Sequence, residues 1–246
     1  ASKVDGLDSG SRGLVPDLLQ VYHFFRGDVH FSLSPEEDDD SDLYTGIVPH
    51  FELKHLVFAV EQVLNGNARK SKQIPPLLVH LFVTCLQLLL GGHPDPCSRN
   101  EEKLYKELQQ YLEPALTPAS WSDVTYLYMD AMERYFQTEA SRDPNVLPAL
   151  PTDVHYLLGL TDTASEPLAT EAPAGYGGYL GDTHGSLYRA HQKLSRSDPW
   201  LLTAEELLAL LRALTEDVLA LYPATLDHRE EQLQELSKAK RAADAN

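Results

Sequence analysis

Between Leu77 and Leu90 the chain places apolar residues around every side of a helix, with only His80, Thr84 and Gln87 as polar interruptions. A helix built from Leu77, Leu78, Leu81, Phe82, Cys85, Leu88 and Leu89 has no solvent face to offer, so it belongs at the centre of a bundle. Its 14 residues fall short of the roughly 20 that a bilayer demands, which excludes a membrane span here. Pro75-Pro76 suits its start and Gly91-Gly92 its end. The rest of the fold must supply partners on all sides of it.

Those partners read as helices too. Apolar residues recur at three- and four-residue spacing along most of the chain, and alternating strand patterns with hairpin turns are hard to find. After Pro16, Leu18, Val21, Tyr22 and Phe25 line one helical face as far as Gly27. Pro49 leads into a second helix with Leu53, Leu56, Val57, Val60 and Leu64 on one side, closed by Asn65-Gly66 in the manner of a left-handed cap. Beyond the apolar helix, Leu104, Leu108, Tyr111 and Leu112 mark a fourth. Ser120 and Asp123 suggest a cap for a fifth, with Val124, Leu127, Tyr128, Ala131 and Tyr135 turned inward. The expectation is an all-α bundle over residues 14–136.

From 137 to 185 the pattern dissolves into Pro, Ala, Thr, Asp and Gly, apart from Val154 to Leu160, and reads as a long irregular bridge. Helical order returns over 186–241. Leu187 to Leu194 forms one element. Thr203 and Glu206 then make a capping box ahead of Leu207, Leu210, Leu211, Leu214, Val218 and Leu221. Pro223 stops that helix, and a last polar one with a thin seam at Leu226, Leu233 and Leu236 projects into solvent or onto a partner. These C-terminal helices are expected to pack back on the bundle. The abrupt opening ASKVDGLDSGSRG and the polar close fit a piece of a longer chain.

Charge narrows the function classes. Twenty basic against 37 acidic side chains give a formal charge of −17, which opposes nonspecific attraction to nucleic-acid phosphates or anionic lipid and favours a basic partner. Direct DNA binding is not expected. Glu36, Glu37, Asp38, Asp39, Asp40 and Asp42 concentrate that charge between the first two helices, as a solvated loop or as a dock for a basic histone tail or helix. Cys85 and Cys97 support neither a disulfide framework nor a zinc cage, which fits a reducing compartment.

Four motifs carry possible chemistry. Gly181-Asp182-Thr183-His184-Gly185 spells the opening of a two-metal phosphatase site, yet a glycine-rich loop precedes it and no later Gly-Asp or Gly-Asn-His element follows, so it reads as a loop. Gly175, Gly177, Gly178 and Gly181 miss the phosphate-cradle register because Leu180 occupies the third glycine position. His184 and His191 lack a third ligand and read as surface histidines. The aromatic set Trp121, Tyr126, Tyr128, Tyr135 and Phe136 sits at core spacing, with a methyl-lysine cage as the alternative. There is no nucleophile elbow, and neither cysteine has an electropositive setting, so no catalytic residue, cofactor or metal is expected.

The order of segments resembles a known family. PDLLQVYHFFRG, FELKHLVFAVEQVLNG and PPLLVHLFVTCLQLLL are similar to the helices of the DDT domain of chromatin-remodelling subunits. Leu18, Leu19, Val21 and Phe24 or Phe25 fit the first element, Phe51, Leu53 and Leu56 the second, and Leu77, Leu78, His80 and Leu81 the third. ASWSDVTYLYMDAM looks like the tryptophan-led helix that follows. The stretch from Leu201 to Arg241 resembles the adjoining WHIM segment, with Glu216 and Asp217 at its acidic pair. Two departures are the acidic insertion and the Pro/Gly-rich bridge. The resemblance implies a nuclear, non-enzymatic subunit that docks an ISWI-type ATPase through that ATPase's basic C-terminal helices and helps position it on nucleosomes. The docking surface is expected on the first module together with the Thr203–Tyr222 helix, and a histone-tail reader is the alternative. The candidate partner-binding residues are Asp38, Asp39, Asp40, Trp121, Glu216 and Asp217.

Overall fold

The computed structural model describes residues 12–26, 51–91, 99–140, 178–196 and 198–221. The described residues are mostly helical, with eight α-helices and no strand among them. In chain order these are α1 (Val15–Arg26), α2 (Leu53–Leu64), α3 (Asn67–Ser71), α4 (Pro76–Gly91), α5 (Arg99–Leu112), α6 (Trp121–Ala140), α7 (Ser186–Leu194) and α8 (Ala204–Leu221).

The all-round apolar helix takes the position its composition requires. In α4 Leu78 and every residue from Leu81 to Cys85 are buried, as are Leu86, Leu88, Leu89 and Leu90. It packs against α2, α5, α6 and α8. Burying a leucine side chain contributes about 1.5–3 kcal/mol relative to leaving it in water, so this one element is the main apolar contributor to the core. Thr84 is accommodated because its hydroxyl donates to the His80 carbonyl one turn earlier at 2.9 Å.

Helix α8 is the second axis of the fold. Leu207, Leu208, Leu210, Leu211, Leu214, Val218 and Leu221 are all buried, and the helix lies against α1, α2, α4 and α7. The helices at the two ends of the described chain therefore share one hydrophobic cluster. The expected capping box is present: the Thr203 N–H donates to Glu206 Oε2 at 2.7 Å, and the Glu206 N–H donates to Thr203 Oγ1 at 3.2 Å. Where α2 ends, Gly66 takes φ of 72°, the left-handed conformation that a glycine adopts without steric cost.

Several expectations need adjustment. The helical spacing predicts Leu64 on the inner stripe of α2, but it is 45% exposed, while Val63 beside it is buried. The short helix α3 was not foreseen, since five residues carry too little periodicity to register. Ser120 Oγ accepts the Thr117 N–H at 3.0 Å and donates to the Ala115 carbonyl, so it organises the turn before α6. Of the bridge expected over 137–185, residues 141–177 lie outside the described residues. Helix α6 continues to Ala140, and Tyr179 and Leu180 pack on the core.

Candidate partner-docking surface

The candidate surface lies where α1 and α8 run side by side. Arg212 on α8 donates from Nη1 to Asp17 Oδ1 at 3.0 Å and from Nε to Glu216 Oε1 at 3.1 Å. Gln20 Nε2 on α1 donates to the same Glu216 oxygen at 3.1 Å. Gln20, Arg212 and Glu216 are exposed and Asp17 is half-buried. Exposed ion pairs of this kind contribute about 0–1 kcal/mol each, so their energetic role in the fold is small. Glu216 thus stays at the surface.

Its neighbour Asp217 behaves differently. The Tyr128 hydroxyl donates to Asp217 Oδ2 at 2.9 Å and the Tyr179 hydroxyl donates to the same oxygen at 2.6 Å. Burial pushes the Asp217 carboxyl up to about 6, a rise that the two phenol hydrogen bonds restrain and nearby Glu216 reinforces. Burial, followed by the facing carboxylate, raises both phenols well above their usual value. Asp217 is therefore an internal clasp joining α6, α8 and the segment ahead of α7. It is not a free surface charge.

Trp121 likewise turns inward. It is 4% exposed and stacked on Phe82, with ring centroids 4.4 Å apart, so it fills the core and presents no face to a partner. Tyr128 is fully buried in the same cluster, so neither ring has the open face that a methyl-lysine cage requires, while Tyr126 and Tyr135 are half-buried. Phe136 is the exposed member, at 38%, and it stacks on Tyr179. Asp38, Asp39 and Asp40 lie outside the described residues.

Two further polar nodes hold the C-terminal helices down. Glu206 is almost fully buried, yet it serves the cap of α8 and also receives Lys193 Nζ at 2.8 and 2.7 Å. Burial alone would raise this carboxyl; the Lys193 hydrogen bonds and the Thr203 N–H reverse that and hold it below the usual range. On α6, Asp130 Oδ2 receives Arg134 Nε at 2.8 Å, while His191 Nε2 of α7 approaches Oδ1 at 3.5 Å. Burial again opposes the ionised carboxylate, and His191 and Arg134 reverse it, leaving Asp130 lowered. Neither imidazole nitrogen makes a formed hydrogen bond, so the Arg134 contact is the firmer of the two. The sequence predicts a surface residue at His191. It is instead buried and stacked on Tyr126 at 4.8 Å, because its place on α7 faces α6.

The Gly-Asp-Thr-His-Gly stretch forms a helix entrance. Asp182 Oδ1 accepts the His184 N–H at 2.9 Å, the Gly185 N–H donates to the Asp182 carbonyl at 2.7 Å, and α7 begins at the next residue. Asp182 and His184 are exposed, and Gly178 to Leu180 ahead of them are not in a strand. Among the described residues no group of three His, Cys, Asp or Glu side chains is placed to hold a metal ion, and no helix is long and apolar enough to cross a membrane. Cys85 is a free thiol inside the core, raised far above its usual value by burial. Comparison with family models, with curated proteins and with solved structures finds no match to this chain.

Proposed function

We propose that this chain is a non-catalytic, nuclear docking module that binds the basic C-terminal helical region of an ISWI-type ATPase and helps position it on nucleosomes. The observation that carries this reading is the union of the two segments that resemble the family. Helix α8 lies on α1 and α4 in one core, and its outer edge presents Glu216 beside Asp17 and Gln20. A formal charge of −17 favours a basic partner by complementarity, which speeds and orients association more than it deepens affinity.

The surface is defined by Glu216 and Asp17, with Asp217 fixing the position of α8 from inside. The histone-reader alternative loses Trp121 and Tyr128, which are committed to the core. The test is calorimetric titration of the full chain with the separated C-terminal helical region of an ISWI-type ATPase. Saturable binding is expected, weakened at least tenfold by the double variant Asp17→Lys with Glu216→Lys and falling steeply with salt. No heat of binding at moderate salt, or equal affinity for the charge-reversed chain, would overturn the reading.

A further inference from the structure

One surface departs from the acidity of the rest. From Gln62 to Pro94 the sequence contains no carboxylate, and α3 in its middle carries Arg69, Lys70 and the capping residue Lys72, all exposed. Helix α3 packs against the Pro199–Leu201 turn that follows α7. Arg69 Nη2 and Lys193 Nζ converge on one oxygen, the Leu201 carbonyl, at 3.5 and 3.3 Å. Lys193 is neutralised by Glu206. Arg196, one turn beyond it, is exposed. Among the described residues, Arg69, Lys70, Lys72 and Arg196 have no ion-pair partner.

Two features set this patch apart from a routine basic helix end. Lys72 has φ of 53° and is the only non-glycine residue with positive φ among the described residues. A left-handed backbone costs a side-chain-bearing residue about 1 kcal/mol, so a cation stands where glycine is sterically preferred. Leu201, at the centre of the convergence, is 40% exposed, and Trp200 is half-buried beside it.

We propose that the surface formed by Arg69, Lys70, Lys72, Arg196 and Leu201 binds an acidic peptide segment of a partner protein, with an apolar side chain of that segment seated on Leu201. The cations supply charge complementarity and the leucine supplies desolvated contact. Duplex DNA fits less well. Its charge extends far beyond one patch and meets a chain of formal charge −17, whereas a short peptide engages the cations within the screening length of about 8–10 Å. The site stands roughly 20 Å along α8 from Glu216, at 1.5 Å per residue, so it is separate from the surface proposed for the basic partner.

Fluorescence polarisation with the full chain tests this, using a labelled dodecapeptide of Glu and Asp carrying one Leu and one Phe. Saturable binding is expected, reduced at least tenfold in the Arg69→Glu, Lys70→Glu, Lys72→Glu variant and at least threefold by Leu201→Ser. Helical circular dichroism is expected to be retained and the melting temperature to fall only slightly, since the variants give up the Arg69 hydrogen bond to the Leu201 carbonyl and part of the Leu201 packing. The same titration in a chain whose carboxylates from Glu36 to Asp42 are neutralised excludes an intrachain competitor. Absence of saturable peptide binding in that background overturns the proposal. So does binding indifferent to the charge reversals, or tighter binding of a 20-base-pair duplex at equal ionic strength. Unchanged affinity of the patch variant for the ATPase region separates this site from the α1–α8 surface.

Discussion

The environment of α4 and the environment of α7 are held together by different physics. Around α4 the contacts are almost wholly apolar, from Leu81 and Phe82 to Leu89, and even its buried Thr84 is satisfied within its own helix. Around α7, the segment from Gly178 to Lys193 is fastened by ionisable groups drawn from other elements: Glu133 on the Leu180 N–H at 2.8 Å, Asp217 on Tyr179, Asp130 near His191, and Glu206 on Lys193. The first kind of attachment is insensitive to pH and salt. The second is specific in geometry but depends on the protonation of carboxylates that burial disfavours in their charged form.

The sharpest way to probe this contrast is to damage each side and compare. Leu81→Ala, at a fully buried position of α4, should cost about 2–5 kcal/mol in urea denaturation, by the same amount at pH 5 and pH 7.5. A loss that varied strongly with pH would break the contrast. Glu206→Ala removes the cap of α8 and the Lys193 partner together, and should cost about 2–3 kcal/mol at pH 7, with the difference narrowing as acid protonates the parent carboxylate.

Asp217→Asn inverts the sign. The folded-state carboxyl titrates near 6, above its ordinary value of 3.8. Its contribution to stability is therefore fully present below about pH 4 and is lost as the pH rises through 6. The asparagine variant, which carries no charge to bury, should match or exceed the parent by about 1–2 kcal/mol at pH 7.5, and the gap should close only below about pH 4. Thermal melts across that range read the effect directly; a variant strongly destabilised at neutral pH would show that the ionised clasp is net favourable. Smallest of all, Gly178→Ala drives a Cβ into the Glu133 carboxylate. The carboxylate at the end of that flexible side chain can swing away, so a loss of about 1 kcal/mol or less is expected, with faster amide exchange at Leu180 as its signature.

The same contrast explains what was legible in the sequence. The apolar side could be read, because a helix such as α4 states its position through its own composition. The Thr203–Glu206 cap was legible for a similar reason, being complete within four residues. Asp217 was not. In sequence it is the twin of Glu216, and only Tyr128 and Tyr179, 89 and 38 residues away, distinguish a buried clasp from a surface charge. His191 hid in the same way: seven residues from His184, it differs only in facing α6. The double role of Glu206 is equally invisible in the sequence, since Lys193 reaches it from another helix.

The placement of α8 has a consequence for how the chain is made. Helix α8, which lies against α1, α2, α4 and α7, is the last one described, so the interior remains open until Leu221 has been synthesised. During translation the greasy flank of α4 waits without its cover, in the manner of other long-range topologies that expose sticky intermediates. Nascent chains halted shortly before Ala204 should accordingly be captured by holdase chaperones, and release should coincide with emergence of the final described helix.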